Sequence, residues 1–220
     1  MRKAVIPLLV ASAAVGHTMA EETYICPLDG TKFTATTDLS GTSDGRRLDL
    51  KPLGNTPAPW SVPICPTDHF ALVKKSFTED EKAALRKVVA DPDYQRIAID
   101  HASYFLVARI FEALREPPVE VAFAYLEASW QSESGPHYQE ALENALAWFD
   151  RVKEGKRVET SRVVGIEILR LLGRFDAAAE RLQSVERDLK DPTNHSQRAL
   201  QKERELIDKR DRAPHEFPSD

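Results

Sequence analysis

The chain has no basic excess: 30 lysines and arginines stand against 35 aspartates and glutamates, a formal charge of −5. A generic nucleic-acid binder carries a basic face, so this balance argues against that class. Cysteine is scarce, with Cys26 and Cys65 the two in 220 residues. No apolar run beyond the first twenty residues is long enough to cross a bilayer. The catalytic signatures G-x-S-x-G and H-E-x-x-H, the phosphate-binding loop and the dinucleotide fingerprint are all missing, so no catalytic residue is assigned. Low hydrophobicity combined with high net charge is also absent. With 42% hydrophobic and 30% charged residues the composition is that of a globular chain.

The first twenty residues read as a secretory signal peptide. Arg2 and Lys3 form a positive start, Ala4 to Val15 is apolar, and Thr18-Met19-Ala20 offers small residues at the −3 and −1 positions. Cleavage after Ala20 would leave Glu21 as the first residue. The remaining chain would have a charge of −7, since −5 loses the two positive charges of Arg2 and Lys3. The expected location is the periplasm or the medium, with no membrane span after cleavage.

Residues 21–77 hold Pro27, Pro52, Pro57, Pro59, Pro63 and Pro66 together with Gly30, Gly41, Gly45 and Gly54. That density of turn residues excludes a long helix. Short extended pieces are expected at 31–35, 47–50 and 69–74, giving a small β-rich module. The pattern changes at Phe77. Thr78-Glu79-Asp80-Glu81 has the spacing of a capping box, which predicts a helix to about Val89. Asp91-Pro92-Asp93 breaks the chain, and apolar residues at three and four spacing predict one helix from Tyr94 to Leu114. Further helices are predicted from Pro118 past Trp130, over 138–152, 159–172 and 176–189, and after Asp191-Pro192 over 196–209. Residues 213–220 are expected to fray. The expectation is therefore mainly α: a two-cysteine module over 21–77, then a helical bundle or α-solenoid over 78–212.

Within the module Cys26-Pro27-Leu28-Asp29 and Cys65-Pro66-Thr67-Asp68 repeat one pattern, Cys-Pro-x-Asp. Three readings are open. An exported chain with two cysteines points first to a disulfide, which on the entropy model would restrict the unfolded chain by about 4 kcal/mol. The second reading is a metal site, zinc held by Cys26, Asp29, Cys65 and Asp68, with His69 available as a substitute ligand. The third is a pair of reduced, buried cysteines with the aspartates as ordinary turn residues.

These knuckles, with Gly41-Thr42, Gly45, Leu48-Asp49-Leu50-Lys51-Pro52, Gly54 and Phe77-Thr78-x-x-Glu81, resemble an uncharacterised bacterial family. Its members join Cys-Pro-x-Cys-Gly zinc-ribbon knuckles to tetratricopeptide-like helices. The resemblance implies a zinc-ribbon-like fold for the module; aspartate replaces the second cysteine of each knuckle here. It carries no activity.

Leu172-Gly173-Arg174-Phe175-Asp176 with Ala178 is similar to the inter-helix turn of a tetratricopeptide repeat. Gly173 would let a helix end tightly, Phe175 would pack between helices, and Ala178 would permit close approach. One clear copy is a weak signal for a repeat array, and an ordinary helical hairpin is the competing reading. His101 is expected as a core or interface histidine. Asp100 and His101, adjacent in sequence, do not share a helix face and form no catalytic pair. The preferred function is a non-catalytic exported scaffold that binds a protein or peptide, without cofactor. The alternative is a zinc-binding or redox-active protein centred on the knuckles.

Overall fold

A computed structural model describes residues 16–189 and 194–218. The positive and apolar parts of the expected signal peptide, and the Asp191-Pro192 break, lie outside them. Strands β1 (Thr18–Ile25) and β2 (Lys32–Ser40) form one antiparallel hairpin, and β3 (Ser43–Arg46) and β4 (Pro52–Gly54) a second. Eight helices follow among the described residues: α1 (Glu79–Val89), α2 (Pro92–Asp100), α3 (Ser103–Leu114), α4 (Pro118–Gln131), α5 (Tyr138–Phe149), α6 (Val158–Leu171), α7 (Phe175–Asp188) and α8 (Asn194–Asp208). The chain is mainly α. No helix among the described residues is long and apolar enough to cross a membrane.

Local chemistry sets most helix ends. Thr78 caps α1: its Oγ1 accepts from the Glu81 N–H at 3.2 Å, and the Glu81 carboxylate accepts from the Thr78 N–H at 2.8 Å. Asp91 caps α2 by accepting from the Asp93 N–H, with Pro92 in the first turn. Pro118 opens α4 in the same way. Gly173 ends α6 with a φ of +74°. Its N–H donates to the Arg170 carbonyl and the Arg174 N–H donates to the Leu169 carbonyl, the paired bonds of a Schellman motif. Buried Phe175 and Ala178 then begin α7. α6 and α7 also approach at Gly165, where an added Cβ would lie 2.4 Å from the Arg181 guanidinium.

Three local expectations differ from what is found. The predicted single helix over Tyr94–Leu114 is two helices, parted at His101 and Ala102, both with extended backbone. A distant residue makes the break: Gln131, at the end of α4, accepts from the Tyr104 N–H at 3.0 Å and caps α3 from outside. Residues 47–50 are the turn of the β3–β4 hairpin, and of 69–74 only Ala71 pairs, with Ile64. In place of the expected frayed tail, residues up to Pro218 run back to the first third of the chain. The Leu48 N–H donates to His215, the Phe217 N–H donates to Arg46, and Arg47 bridges Glu216. Phe217 packs on Leu48, Ala199 and Leu206 and stacks on His195.

Each helix from α3 to α7 packs against the next one in sequence, and α8 packs on both α6 and α7. α4 lies between α3 and α5 and buries Val121, Ala122, Leu126 and Ala128 completely. One apolar core runs from Cys26, Cys65 and Phe70 through Leu85 and Tyr94 into α3–α7. At the far end, Arg170 is wholly buried between Glu167 and Glu203. Its remaining donors reach the carbonyls of Asp211 (2.7 Å) and Ala213 (2.9 Å). Burial pushes both carboxyls upward, and the Glu203 charge adds to the rise at Glu167.

Candidate functional site

The two Cys-Pro-x-Asp segments fold alike. In the first, which is the turn of the β1–β2 hairpin, the Cys26 N–H donates to Thr31 (2.8 Å) and the Gly30 N–H to Cys26 (2.9 Å). In the second, the Cys65 N–H donates to Phe70 (2.9 Å) and the His69 N–H to Cys65 (3.0 Å). Gly30 and His69 occupy the same left-handed position, with φ of +81° and +59°. The knuckles face each other, and Cys26 and Cys65 are joined by a disulfide with Cα atoms 5.7 Å apart. That separation is ordinary for such a bond.

Each aspartate serves its own turn. Asp29 accepts from the Thr31 N–H and Asp68 from the Phe70 N–H, the Asx pattern. Their surroundings then diverge. Asp29 also accepts from the Thr67 hydroxyl at 2.5 Å, and that bond, with those from Thr31, holds its carboxyl below the usual range. Burial pushes Asp68 up, with help from the Asp29 charge. His69 turns away from the sulfurs to Gln95 on α2, its Nδ1 2.8 Å from Oε1. Tyr94 and Gln95 complete the docking by donating to the carbonyls of His69 and Asp68, both at 3.0 Å. With both sulfurs bonded to each other and both carboxylates engaged in turns, the knuckles act as a staple.

A different set of side chains meets across α2, α3, α4 and α5. A surface groove of about 470 Å³ is lined by Phe105, Arg109, Glu112, Tyr125, Trp148 and Arg151, among others. Glu112 organises its floor. It accepts from Arg109 (2.8 Å), the Tyr125 hydroxyl (2.8 Å) and the Trp148 indole N–H (3.2 Å). Arg151 lies 4.0 Å over the Trp148 ring, a cation–π contact. The buried Nε of Arg109 has no partner.

At one side of this groove stands Glu140, in the first turn of α5. One of its oxygens is 3.1 Å from His101 Nε2 and 3.1 Å from His137 Nδ1. The two imidazoles stack with centroids 3.6 Å apart, and Phe105 meets both edge-on. Burial works against the Glu140 charge, yet the bonds from His137 and His101 outweigh it and hold the carboxyl below its ordinary range. His101 was expected to be a core or interface histidine on a continuous helix. Its side chain is buried, but it sits where that helix breaks, and its ring joins residues 36 and 39 positions later (137 − 101 and 140 − 101). The available signal was His137-x-x-Glu140, an i, i+3 pair at the start of α5.

No family model, curated protein or solved structure matches the chain.

Proposed function

We propose that the chain is an exported, non-catalytic scaffold whose helical array binds an extended segment of a partner protein in the groove across α3, α4 and α5. The likeness to a knuckle-plus-helical-repeat family, carried by the two Cys-Pro-x-Asp turns, belongs to the same reading. The observation that supports it is the set of groups around Trp148. An aromatic face, the Arg151 guanidinium above it, Arg109 and the Asn144 amide line one groove, with Glu112 and Glu140 beside them. Glu112 is taken up by Arg109, Tyr125 and Trp148, which leaves the Arg151 guanidinium as the cation offered to a segment that carries a carboxylate. The chain's net negative charge opposes an acidic partner at long range. At physiological ionic strength that repulsion is screened beyond about 8 Å, and the local donors then decide.

Export is part of the proposal, with cleavage after Ala20. The β1–β2 pairs from Glu21↔Thr36 to Ile25↔Lys32 would survive it. N-terminal sequencing of protein recovered outside the cytoplasm should begin at or near Glu21; an intact Met1 on that material would sink this part.

Binding is tested on the mature, oxidised chain with synthetic peptides that differ only in carboxylate content, followed by titration calorimetry. Acidic peptides should bind saturably, and Arg151→Glu should weaken them at least tenfold while leaving the circular dichroism unchanged. Absence of saturable binding by any of the peptides, or affinity indifferent to Arg151→Glu, overturns the assignment of the groove.

A further inference from the structure

We propose that His101, His137 and Glu140 form a binding site for one divalent transition-metal ion of the zinc class. His101 comes from the end of α2, and the other two come from the entry to α5. One ligand atom from each lies within 4.8 Å of the others. Zinc–nitrogen and zinc–oxygen bonds of about 2.0–2.2 Å in a tetrahedron set the ligand atoms about 3.3–3.5 Å apart. The observed 3.1 Å from Glu140 to each imidazole is within a few tenths of an ångström of that edge. The imidazoles, stacked 3.6 Å apart, would also turn out of their face-to-face contact to aim both nitrogen lone pairs at one ion, which then replaces the shared hydrogen-bonding protons.

The donor set selects the ion. Two imidazoles and one carboxylate suit zinc and its neighbours, whereas calcium and magnesium take oxygen ligands. Three protein ligands leave a fourth position for water. Glu140, half exposed, gives an approach from solvent.

One ring nitrogen of the cluster is left over. The His101 side chain is 1% exposed and its Nδ1 has no partner. With Nε2 on the ion, Nδ1 would carry the proton and call for an acceptor such as water, because a metal-bound imidazole normally donates its other N–H. Phe105 against the ring edge and His137 against its face hold the imidazole aimed at Glu140. The dipoles of the two helices oppose each other here. The end of α2 favours a cation and the start of α5 disfavours one, so the Glu140 carboxylate supplies the deciding charge.

Bound metal would tie α2 to α5 across the break that separates α2 from α3. The site shares no residue with the disulfide knuckles, but Glu140 also borders the groove. It is therefore tested with the disulfide intact and no peptide present, on untagged mature chain stripped with a chelator and titrated with zinc alone. One equivalent should bind, and cobalt in its place should give visible ligand-field bands with imidazole character. His137→Ala and Glu140→Gln, at partly exposed positions, should each lower affinity by more than about a hundredfold, since even outer partners of a metal ligand matter by 10–100-fold. Circular dichroism checks that these variants stay folded; His101→Ala is avoided because its ring is core. Three results overturn the proposal: no saturable binding, 1:1 binding unchanged in both variants, or binding lost instead in Asp29→Ala and Asp68→Ala.

Discussion

Residues 18–77 and residues 79–208 lie on one core but contribute to it unequally. The strands and knuckles bury few apolar side chains, chiefly Cys26, Leu48, Cys65, Phe70 and Ala71. The helices bury an apolar face on nearly every turn from Tyr104 to Val185. The first region is held on the second by its disulfide, by Tyr94 and Gln95 reaching to the second knuckle, and by an ion-pair network in which Arg47 and Lys51 both contact Glu133. A stretch this poor in core cannot stand by itself and borrows the helical surface. Helix α1 begins at Glu79, and the apolar core runs across that point without a break.

The largest effect should come from deep in the helical region. Arg170→Ala leaves Glu167 and Glu203 buried without their cation and frees the carbonyls of Asp211 and Ala213. The expected loss is about 3–5 kcal/mol in urea unfolding. A loss below 1 kcal/mol would show that the buried charge cluster is not what fixes α8 and the returning C-terminal segment on α6.

Next is the staple. Cys26→Ala with Cys65→Ala releases a loop closed over a sequence separation of 39 and should cost about 2–4 kcal/mol. Because both sulfurs sit in the same core as Leu85 and Tyr94, unfolding should stay a single transition at a lower midpoint. Two separate transitions would break the comparison and make the first region a domain of its own.

The smallest effect tests the seam. A cavity of about 210 Å³ is lined by Ser61, Val62, Pro63, Leu72 and Val73 from the first region and by Tyr104, Val107, Phe111 and Glu127 from the helices. Burial, aided by Glu120, pushes the Glu127 carboxyl up to about 7 from 4.5. The folded chain therefore keeps a proton there between about pH 4.5 and 7 that the unfolded chain has released. Stability from this group is full below the unfolded value and falls as pH rises through that window, by on the order of 2–3 kcal/mol. Glu127→Gln should flatten that slope, read from urea midpoints at pH 5 and 7.5. An unchanged slope would place the carboxyl in water and the seam open.

What the sequence made legible was local chemistry. The capping box at Thr78, the Asp91-Pro92 start and the Pro117-Pro118 stop act within a few residues, so spacing alone revealed them. The repeated Cys-Pro-x-Asp pattern was also local, and each copy is one self-contained turn. The break at His101-Ala102 was hidden because its cap, Gln131, lies 27 residues beyond Tyr104. Strand β1 was hidden for a different reason: its first residues also read as a cleavage site, although its partner β2 follows directly across the Cys26 turn. The cluster of His101, His137 and Glu140 needs α2 to end before α3 begins, so no periodicity in a presumed single helix could assemble it.

The returning C-terminal segment has a consequence for the order of assembly. Arg47 and Glu216 are 169 positions apart (216 − 47), yet they bridge, with Leu48 and Phe217 bonded beside them. Closing so long a loop is entropically unfavourable and is compensated only once the intervening helices are in place. The β3–β4 hairpin has its outer edge covered only when residues 215–217 return to it. The edge is thus covered only by residues that follow α8, and a chain truncated before Asp211 would leave it open.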